Sequence, residues 1–152
     1  MLDPRLPIVK KVAKALNEAG VRWALGGSSL LYLKGISSNF NDLDLMVLEE
    51  DREKAINALL IIGEHQNSES SKDKDFEEFV VDGLDIDLIS RYVINAYGED
   101  HDCSFKNENV DHFNLDDEDV KLDSLDAWYD IYSLQGRNEK ARSIKEYQLY
   151  NK

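Results

Sequence analysis

Two aspartates, Asp42 and Asp44, lie two residues apart in the mostly apolar run of residues 41–47. Side chains of a β-strand alternate between its two faces, so a strand here would project both carboxylates from the same face. Carboxylates held that close repel each other unless a cation lies between them, and oxygen ligands of this kind suit Mg²⁺. The spacing therefore predicts a divalent-metal site.

An apolar run at residues 21–25 precedes these acids and stops at Gly26, Gly27 and Ser28. The chain then returns, after a short connection, to the acidic strand. Such an interruption is unusual in a segment that would otherwise be buried. Together the two stretches indicate a functional site around which the rest of the chain is organised.

The composition limits what such a site can bind. The 152 residues suit one domain, 1–152, and the 18 Lys and Arg against 31 Asp and Glu give a net charge of −13. Proteins that hold duplex nucleic acid usually carry clustered cations, so this class of partner is excluded. The single cysteine, Cys103, excludes an internal disulfide framework and a cysteine-based zinc site. No apolar run approaches the roughly 20 residues of a membrane span, and we expect a cytoplasmic protein.

Hydrophobic periodicity predicts an alternating αβαβ order in the first half of the chain. Asp3 and Pro4 suit a helix start, and Gly20 suits its end. The predicted elements are a helix to residue 19, a strand at 21–25, a helix at 28–33, a strand at 42–48 and a helix ending before residue 63.

The second half is less regular. Asp82-Gly83 between two apolar runs predicts a β-hairpin over residues 76–90, whereas residues 65–74 are predicted to form a surface loop. Residues 97–119 are acidic and are interpreted as a loop with at most short strands near 110 and 120. A helical tail follows at about 124–150, and its apolar stripe is interpreted as packing.

These residues resemble the polymerase-beta-like nucleotidyltransferase superfamily, especially its small stand-alone bacterial and archaeal members. Those proteins share a strand ending in Gly-Gly-Ser or Gly-Ser, a short helix, a second strand with Asp-x-Asp, and a third acid on a later strand. The chain carries these parts in order as Gly26-Gly27-Ser28, Asp42-Leu43-Asp44 and an acid within residues 83–89. The tail, with Leu122 to Tyr129 and then Gly136-Arg137, also matches. The resemblance spans about residues 8–147 and implies an α+β fold with a mixed sheet, whose core would be about residues 5–92.

The resemblance also implies roles for these residues. Asp42, Asp44 and a third acid would hold two Mg²⁺ ions, and that third acid would help to take a proton from an attacking hydroxyl. Gly26 and Gly27 have no Cβ and would let the backbone approach a nucleoside triphosphate, to which helix N–H groups and the Ser28 hydroxyl would donate. The reaction would transfer a nucleoside monophosphate, in the simplest case AMP from ATP, to a hydroxyl.

The third acid is either Asp85 or Asp87, since both face the same side of their strand. The family pattern of an apolar residue, the acid and a further apolar pair matches Ile86-Asp87-Leu88-Ile89. We therefore choose Asp87 and keep Asp85 as the alternative.

One departure from the family concerns the triphosphate. Similar active proteins commonly carry an arginine or lysine just before the Asp-x-Asp strand, and residues 37–41 contain none. Lys34, further back, is the predicted substitute, and Arg91 is a second candidate.

Two functions compete on this fold. The first is an enzyme that acts on a hydroxyl of a small molecule or protein, and the acidic chain favours a cationic acceptor such as an aminoglycoside. The second is a non-catalytic module, such as an antitoxin-like partner protein of a toxin–antitoxin pair, and the missing cation before Asp42 is its best support. The acceptor, the nucleotide and the oligomeric state are not readable from the sequence.

Overall fold

The structure is a computed structural model that describes residues 3–66 and 76–151. Five helices and nine strands occupy this part of the chain. The helices are α1 Leu6–Glu18, α2 Gly27–Leu33, α3 Arg52–Ile62, α4 Leu125–Leu134 and α5 Asn138–Tyr150, with a short 3-10 turn at Glu49–Asp51. The strands are β1 Trp23–Gly26, β2 Leu43–Val47, β3 Glu64–Gln66, β4 Phe76–Val81, β5 Leu84–Ile89, β6 Val93–Ala96, β7 Glu99–Asp102, β8 Asp111–Leu115 and β9 Glu118–Leu122.

Seven strands form one mixed sheet in the order β3-β4-β5-β2-β1-β9-β8, and β6 and β7 form a separate hairpin. The strand β2 lies next to β1 in an antiparallel pair and next to β5 in a parallel pair. The strand β9 runs parallel to β1 on the other side. The two strands predicted to carry the acids are therefore neighbours at the centre of the sheet.

The hydrophobic core forms between this sheet and the helices. The first helix buries one stripe at helical spacing, made of Leu6, Val9, Val12, Ala13 and Leu16, and it contacts α3 and β9. Both faces of β2 are buried along Leu45, Met46 and Val47, as expected for a central strand. The helices α4 and α5 pack against each other, and Trp128, Ile131 and Tyr132 are buried as the stripe predicts. The core fixes the central strands, and with them the acids.

The predicted α+β fold with an αβαβ core, a mixed sheet, a hairpin and a C-terminal helical tail is confirmed. The hairpin turns at Asp82 and Gly83, which both have positive φ angles of 50° and 86°, as a type I′ turn requires. The short strands predicted near residues 110 and 120 correspond to β8 and β9, whereas the strand β7 within the predicted acidic loop of residues 97–119 was not predicted and corrects that interpretation. Of the predicted loop at 65–74, residues 65 and 66 belong to β3, and residues 67–75 lie outside the described part.

None of the helices in the described ranges is long and apolar enough to span a lipid bilayer.

A partly buried ion pair joins the start of β1 to the segment before α3. The Asp51 carboxylate, 3% exposed, accepts hydrogen bonds from the Arg22 backbone N–H at 2.8 Å and from its guanidinium at 2.8 and 3.0 Å. These hydrogen bonds lower the pKa of Asp51 to about 2. A depressed folded-state pKa stabilises the fold above the unfolded value near 3.8, and this contribution is lost as the pH falls from there towards 2.

We therefore expect Asp51→Asn to lower the free energy of unfolding by about 1–2 kcal/mol at pH 7. The expected loss is modest because half of the Arg22 side chain is exposed to solvent, which weakens the pair. The difference from wild type should disappear near pH 2. Urea unfolding at both pH values measures it. Glu50→Gln is the control, because Glu50 is 72% exposed and lies 3.9 Å from the same arginine. Equal losses for the two variants would contradict the assignment.

Candidate active site

Three carboxylates converge where β2 and β5 lie side by side. Asp44 and Asp87 are register partners in the parallel pair, and Asp42 immediately precedes β2. One carboxylate oxygen from each of the three lies within 4.8 Å of the others. The structure thus brings together the three residues that the sequence predicts as metal ligands.

The electrostatics of this cluster favour a bound cation. Burial, together with the charges of Asp42 and Asp87, raises the pKa of Asp44 to about 7. Burial and the neighbouring acids, Asp42 foremost, raise the pKa of Asp87 to about 6, and burial also raises that of Asp42. A divalent cation would relieve both the repulsion and the burial of negative charge. The all-oxygen donor set fits Mg²⁺.

The alternative third acid, Asp85, occupies a different place. Its side chain is exposed and lines a shallow neighbouring groove together with Asp42 and Asp87. Its charge contributes to the raised pKa of Asp87. It does not belong to the three-carboxylate cluster found in the described residues.

The glycine turn packs directly against this cluster. Gly26 is the register partner of Asp44 in the β1–β2 pair. Gly27 has a φ angle of +59°, and a Cβ there would lie 2.0 Å from Asp44 Oδ2. Only glycine fits a left-handed backbone in this space. Ser28 lines a cleft together with the three acids. Its hydroxyl accepts a hydrogen bond from the Asn41 N–H at 3.4 Å, which links the turn to the Asp42 segment.

Two cations from the tail line the same cleft as the acids. Arg137 and Lys140, at the start of α5, line the cleft with Asp42, Asp44 and Asp87. Their charges oppose the rise in the pKa of Asp44. Burial and the Arg137 charge lower the pKa of Lys140, whereas the acids raise it. Both cationic groups lie over the Tyr132 ring, at 5.2 and 5.4 Å from its centre.

Lys34, the lysine predicted to bind the triphosphate, does not reach the cleft. It follows α2, and its ammonium pairs with the Asp111 carboxylate of β8. The structure therefore places Lys34 in an ion pair that links the end of α2 to the edge strand β8. Arg91 likewise does not line the cleft.

The cations missed by the sequence analysis are Arg137 and Lys140. They lie about 95 residues after Asp42, and only the packing of the tail places them in the same cleft as the acids. The one available signal was Gly136-Arg137 directly after the aromatic stripe of α4, because a helix end at the glycine turns the next residues back.

Aromatic side chains form the remaining wall of the cleft. Ring centres are 5.3 Å apart for Phe76 and Tyr92, 6.5 Å for Tyr92 and Trp128, and 5.4 Å for Trp128 and Tyr132. All four residues line the cleft. The cleft is therefore lined by the three acids, the two cations and four aromatic side chains.

Comparison with known proteins identifies the fold. No protein-family model matches the chain, and no curated protein sequence matches it significantly. Solved structures do match. TM1012 from Thermotoga maritima, a candidate nucleotidyltransferase, superimposes with a TM-score of 0.72 and 20% identity, over 99% of this chain and 97% of that one.

Two antibiotic-modifying proteins also match over nearly the whole chain. The structure of ANT(2")-Ia in complex with adenylyl-2"-tobramycin gives a TM-score of 0.65 at 12% identity, covering 97% of this chain and 94% of that one. The lincosamide antibiotic adenylyltransferase LnuA, bound to lincomycin, gives 0.60 at 15% identity, covering 95% and 97%. The chain therefore has the polymerase-beta-like nucleotidyltransferase fold that the sequence predicts.

Proposed function

We propose that the protein is a metal-dependent nucleotidyltransferase that moves a nucleoside monophosphate, most simply AMP from ATP, to a hydroxyl group of a small molecule or a protein. The observation that carries this proposal is the convergence of Asp42, Asp44 and Asp87 beside the Gly26-Gly27 turn. The fold shared with two adenylyltransferases supports it.

In this proposal the three carboxylates are the ligands of Mg²⁺. When bound, Mg²⁺ supplies positive charge that stabilises the oxygen-rich transition state of phosphoryl transfer. Asp44, the most deeply buried of the three, would then be held ionised despite its burial.

The chain's own donors hold the phosphates. Backbone N–H groups at the start of α2 can approach phosphate oxygens closely because Gly26 and Gly27 have no side chains, and the Ser28 hydroxyl lies beside them. Arg137 and Lys140, which line the same cleft, supply charge-assisted hydrogen bonds. These two cations occupy the role for which the sequence suggested Lys34.

In the proposed reaction one bond to phosphorus forms and another breaks. The acceptor hydroxyl oxygen bonds to the α-phosphorus, the bond from that phosphorus to the bridging oxygen breaks, and pyrophosphate leaves. The hydroxyl proton passes to the Asp87 carboxylate, which acts as the general base.

The chemical class of the acceptor is inferred from the structural neighbours and from the net charge of the chain. ANT(2")-Ia is seen with an adenylylated tobramycin, and LnuA with lincomycin. A net charge of −13 attracts cations and repels anions over a distance of about 10 Å. Hydroxyl compounds that carry amines are therefore the first acceptors to test.

The decisive experiment measures binding first and transfer second. Calorimetry with Mg²⁺ and a non-hydrolysable ATP analogue should give saturable binding, and α-labelled ATP should then label an acceptor or release pyrophosphate. Absence of binding at millimolar analogue overturns the proposal and supports the non-catalytic alternative, in which the triphosphate is not held.

Removing the two cations should separate nucleotide binding from metal binding. We expect Arg137→Ala and Lys140→Met each to weaken binding of the ATP analogue about 10-fold or more, since each removes a charge-assisted bond to phosphate. Binding of Mn²⁺ alone, measured by electron paramagnetic resonance, should not weaken. Arg142→Ala is the matched control, because Arg142 is an exposed arginine of the same helix that does not line the cleft. An equal loss for the control would contradict the assignment.

A further inference from the structure

Asp123 is a buried carboxylate that the proposed reaction does not use. It lies between β9 and α4 and is 6% exposed. Its Oδ1 accepts the Ser124 N–H at 2.8 Å, and its Oδ2 accepts the Trp128 indole N–H at 3.0 Å. Its own N–H donates to the Leu25 carbonyl at 2.9 Å. Asp123 therefore connects the end of β9 to the end of β1 and to the Trp128 indole of α4.

The Trp128 ring, in turn, covers the glycine turn. It is 3% exposed, and a Cβ at Gly26 would lie 2.2 Å from Trp128 Cζ2 and 2.6 Å from Nε1. The indole thus lies flush against the Gly26 backbone. A small rotation of the ring would either push this backbone or open a gap beside it, because cores pack at crystal density.

Gly26 and Gly27 connect the Trp128 indole to Asp44, a proposed metal ligand. Gly26 pairs with Asp44 across the β1–β2 ladder, and Gly27 leaves no room for even a methyl group beside Asp44 Oδ2. A continuous series of contacts therefore runs from Asp123 through Trp128 and the two glycines to Asp44. Each step is a hydrogen bond or a close packing contact.

We propose that Asp123 is a positioning residue, which fixes the Trp128 indole and thereby holds the glycine turn and the Asp44 carboxylate in the geometry needed for metal binding. A carboxylate can accept both hydrogen bonds at once, whereas an asparagine side chain has one acceptor atom. An apolar residue could fill the volume but could not orient the indole. This inference rests on the proposed metal site.

The test uses Mn²⁺ alone as the probe, so that no acceptor is needed. Asp123→Asn removes one acceptor, and Trp128→Phe removes the donor while keeping an aromatic ring. Each variant should bind Mn²⁺ about 10-fold more weakly than wild type, which is the usual effect of disturbing groups that orient metal ligands. The double variant should be no weaker than the more affected single variant, because Asp123 is proposed to act through Trp128 and the two effects are then not additive.

A matched control separates positioning from stability. Asp51→Asn also removes a buried aspartate that accepts several hydrogen bonds, but Asp51 pairs with Arg22 away from the cleft. It should lose stability and bind Mn²⁺ as wild type does, with all proteins compared at a temperature where circular dichroism shows them folded. If Asp123→Asn unfolds, Trp128→Phe alone decides.

The outcomes distinguish the two proposals. Mn²⁺ affinities of Asp123→Asn and Trp128→Phe within twofold of wild type overturn the positioning role and leave the proposed function intact. Normal Mn²⁺ binding by wild type and weak binding by the variants, without any nucleotide binding, supports the positioning role and overturns the transferase. A wild-type protein that binds no Mn²⁺ overturns both.

Discussion

Asp44→Asn should abolish nucleotidyl transfer and, at pH 8, make the metal-free protein more stable. The first effect follows from loss of a central metal ligand and should reach about 10³-fold or more, since metal stabilisation of a phosphoryl transition state is worth several kcal/mol. The second follows from the burial of Asp44 beside two other carboxylates. Function and stability are expected to move in opposite directions.

The sign of the pH dependence identifies the cause. The pKa of Asp44 in the fold is about 7, against 3.8 for an unperturbed aspartate. Between these values the folded protein binds a proton that the unfolded chain does not, so stability falls as the pH rises from about 4 to 7. The asparagine variant lacks this loss. Its advantage should be on the order of 2–4 kcal/mol at pH 8 and should vanish below pH 4.

Urea unfolding in the presence of a chelator, at pH 4 and pH 8, measures the stability difference. Asp117→Asn is the control, since Asp117 is exposed in a turn with a φ angle of 69° that asparagine also tolerates. It makes the same change of charge away from the cleft and should alter neither stability nor transfer appreciably. If Asp44→Asn is less stable than wild type at pH 8, the repulsion between Asp44 and the two neighbouring carboxylates is contradicted.

Gly27→Ala should have the second large effect, although it adds only a methyl group. That methyl would lie 2.0 Å from Asp44 Oδ2, so the carboxylate or the turn must move. The φ angle of +59° adds backbone strain of about 1–2 kcal/mol. We expect the rate of transfer to fall by about 10²-fold or more, because displacing a reacting group by about 1 Å has an effect of that size. Mn²⁺ binding should weaken as well.

Gly35→Ala isolates the strain from the clash. Gly35 has a φ angle of +78°, and a Cβ there would meet nothing within 4 Å. Gly35→Ala should therefore lose only the stability that the strain costs, whereas Gly27→Ala should lose more and should also lose transfer and Mn²⁺ affinity. Comparable activity losses in the two would show that strain alone accounts for the effect.

Local rules were sufficient for much of the fold. Asp82-Gly83 defined a hairpin whose strands end where predicted, and the apolar spacing from Leu6 to Leu16 defined the buried stripe of α1. The spacing of Asp42 and Asp44 placed two of the clustered acids. Each of these features depends on neighbours within a few residues, which is what periodicity and turn chemistry report.

Features that depend on distant pairing were not predicted. The strand β7 contains no apolar residue and is mostly exposed, so its sequence resembles a loop, and its strand conformation depends on pairing with β6. Arg137 and Lys140 join the cleft through the packing of α4 and α5, which no local pattern encodes. Lys34 was chosen by proximity in sequence, yet the chain turns its ammonium towards Asp111.

The division of the cleft between two parts of the chain has a mechanical consequence. The acids belong to the central sheet, whereas the cations of the cleft belong to the last helix, which is anchored chiefly through α4. A bound polyphosphate would therefore act as a cross-link between the first half of the chain and its C-terminal end. Cleavage of the α4–α5 junction by a protease should slow markedly in the presence of nucleotide, since ligand binding suppresses local opening of the segments it joins.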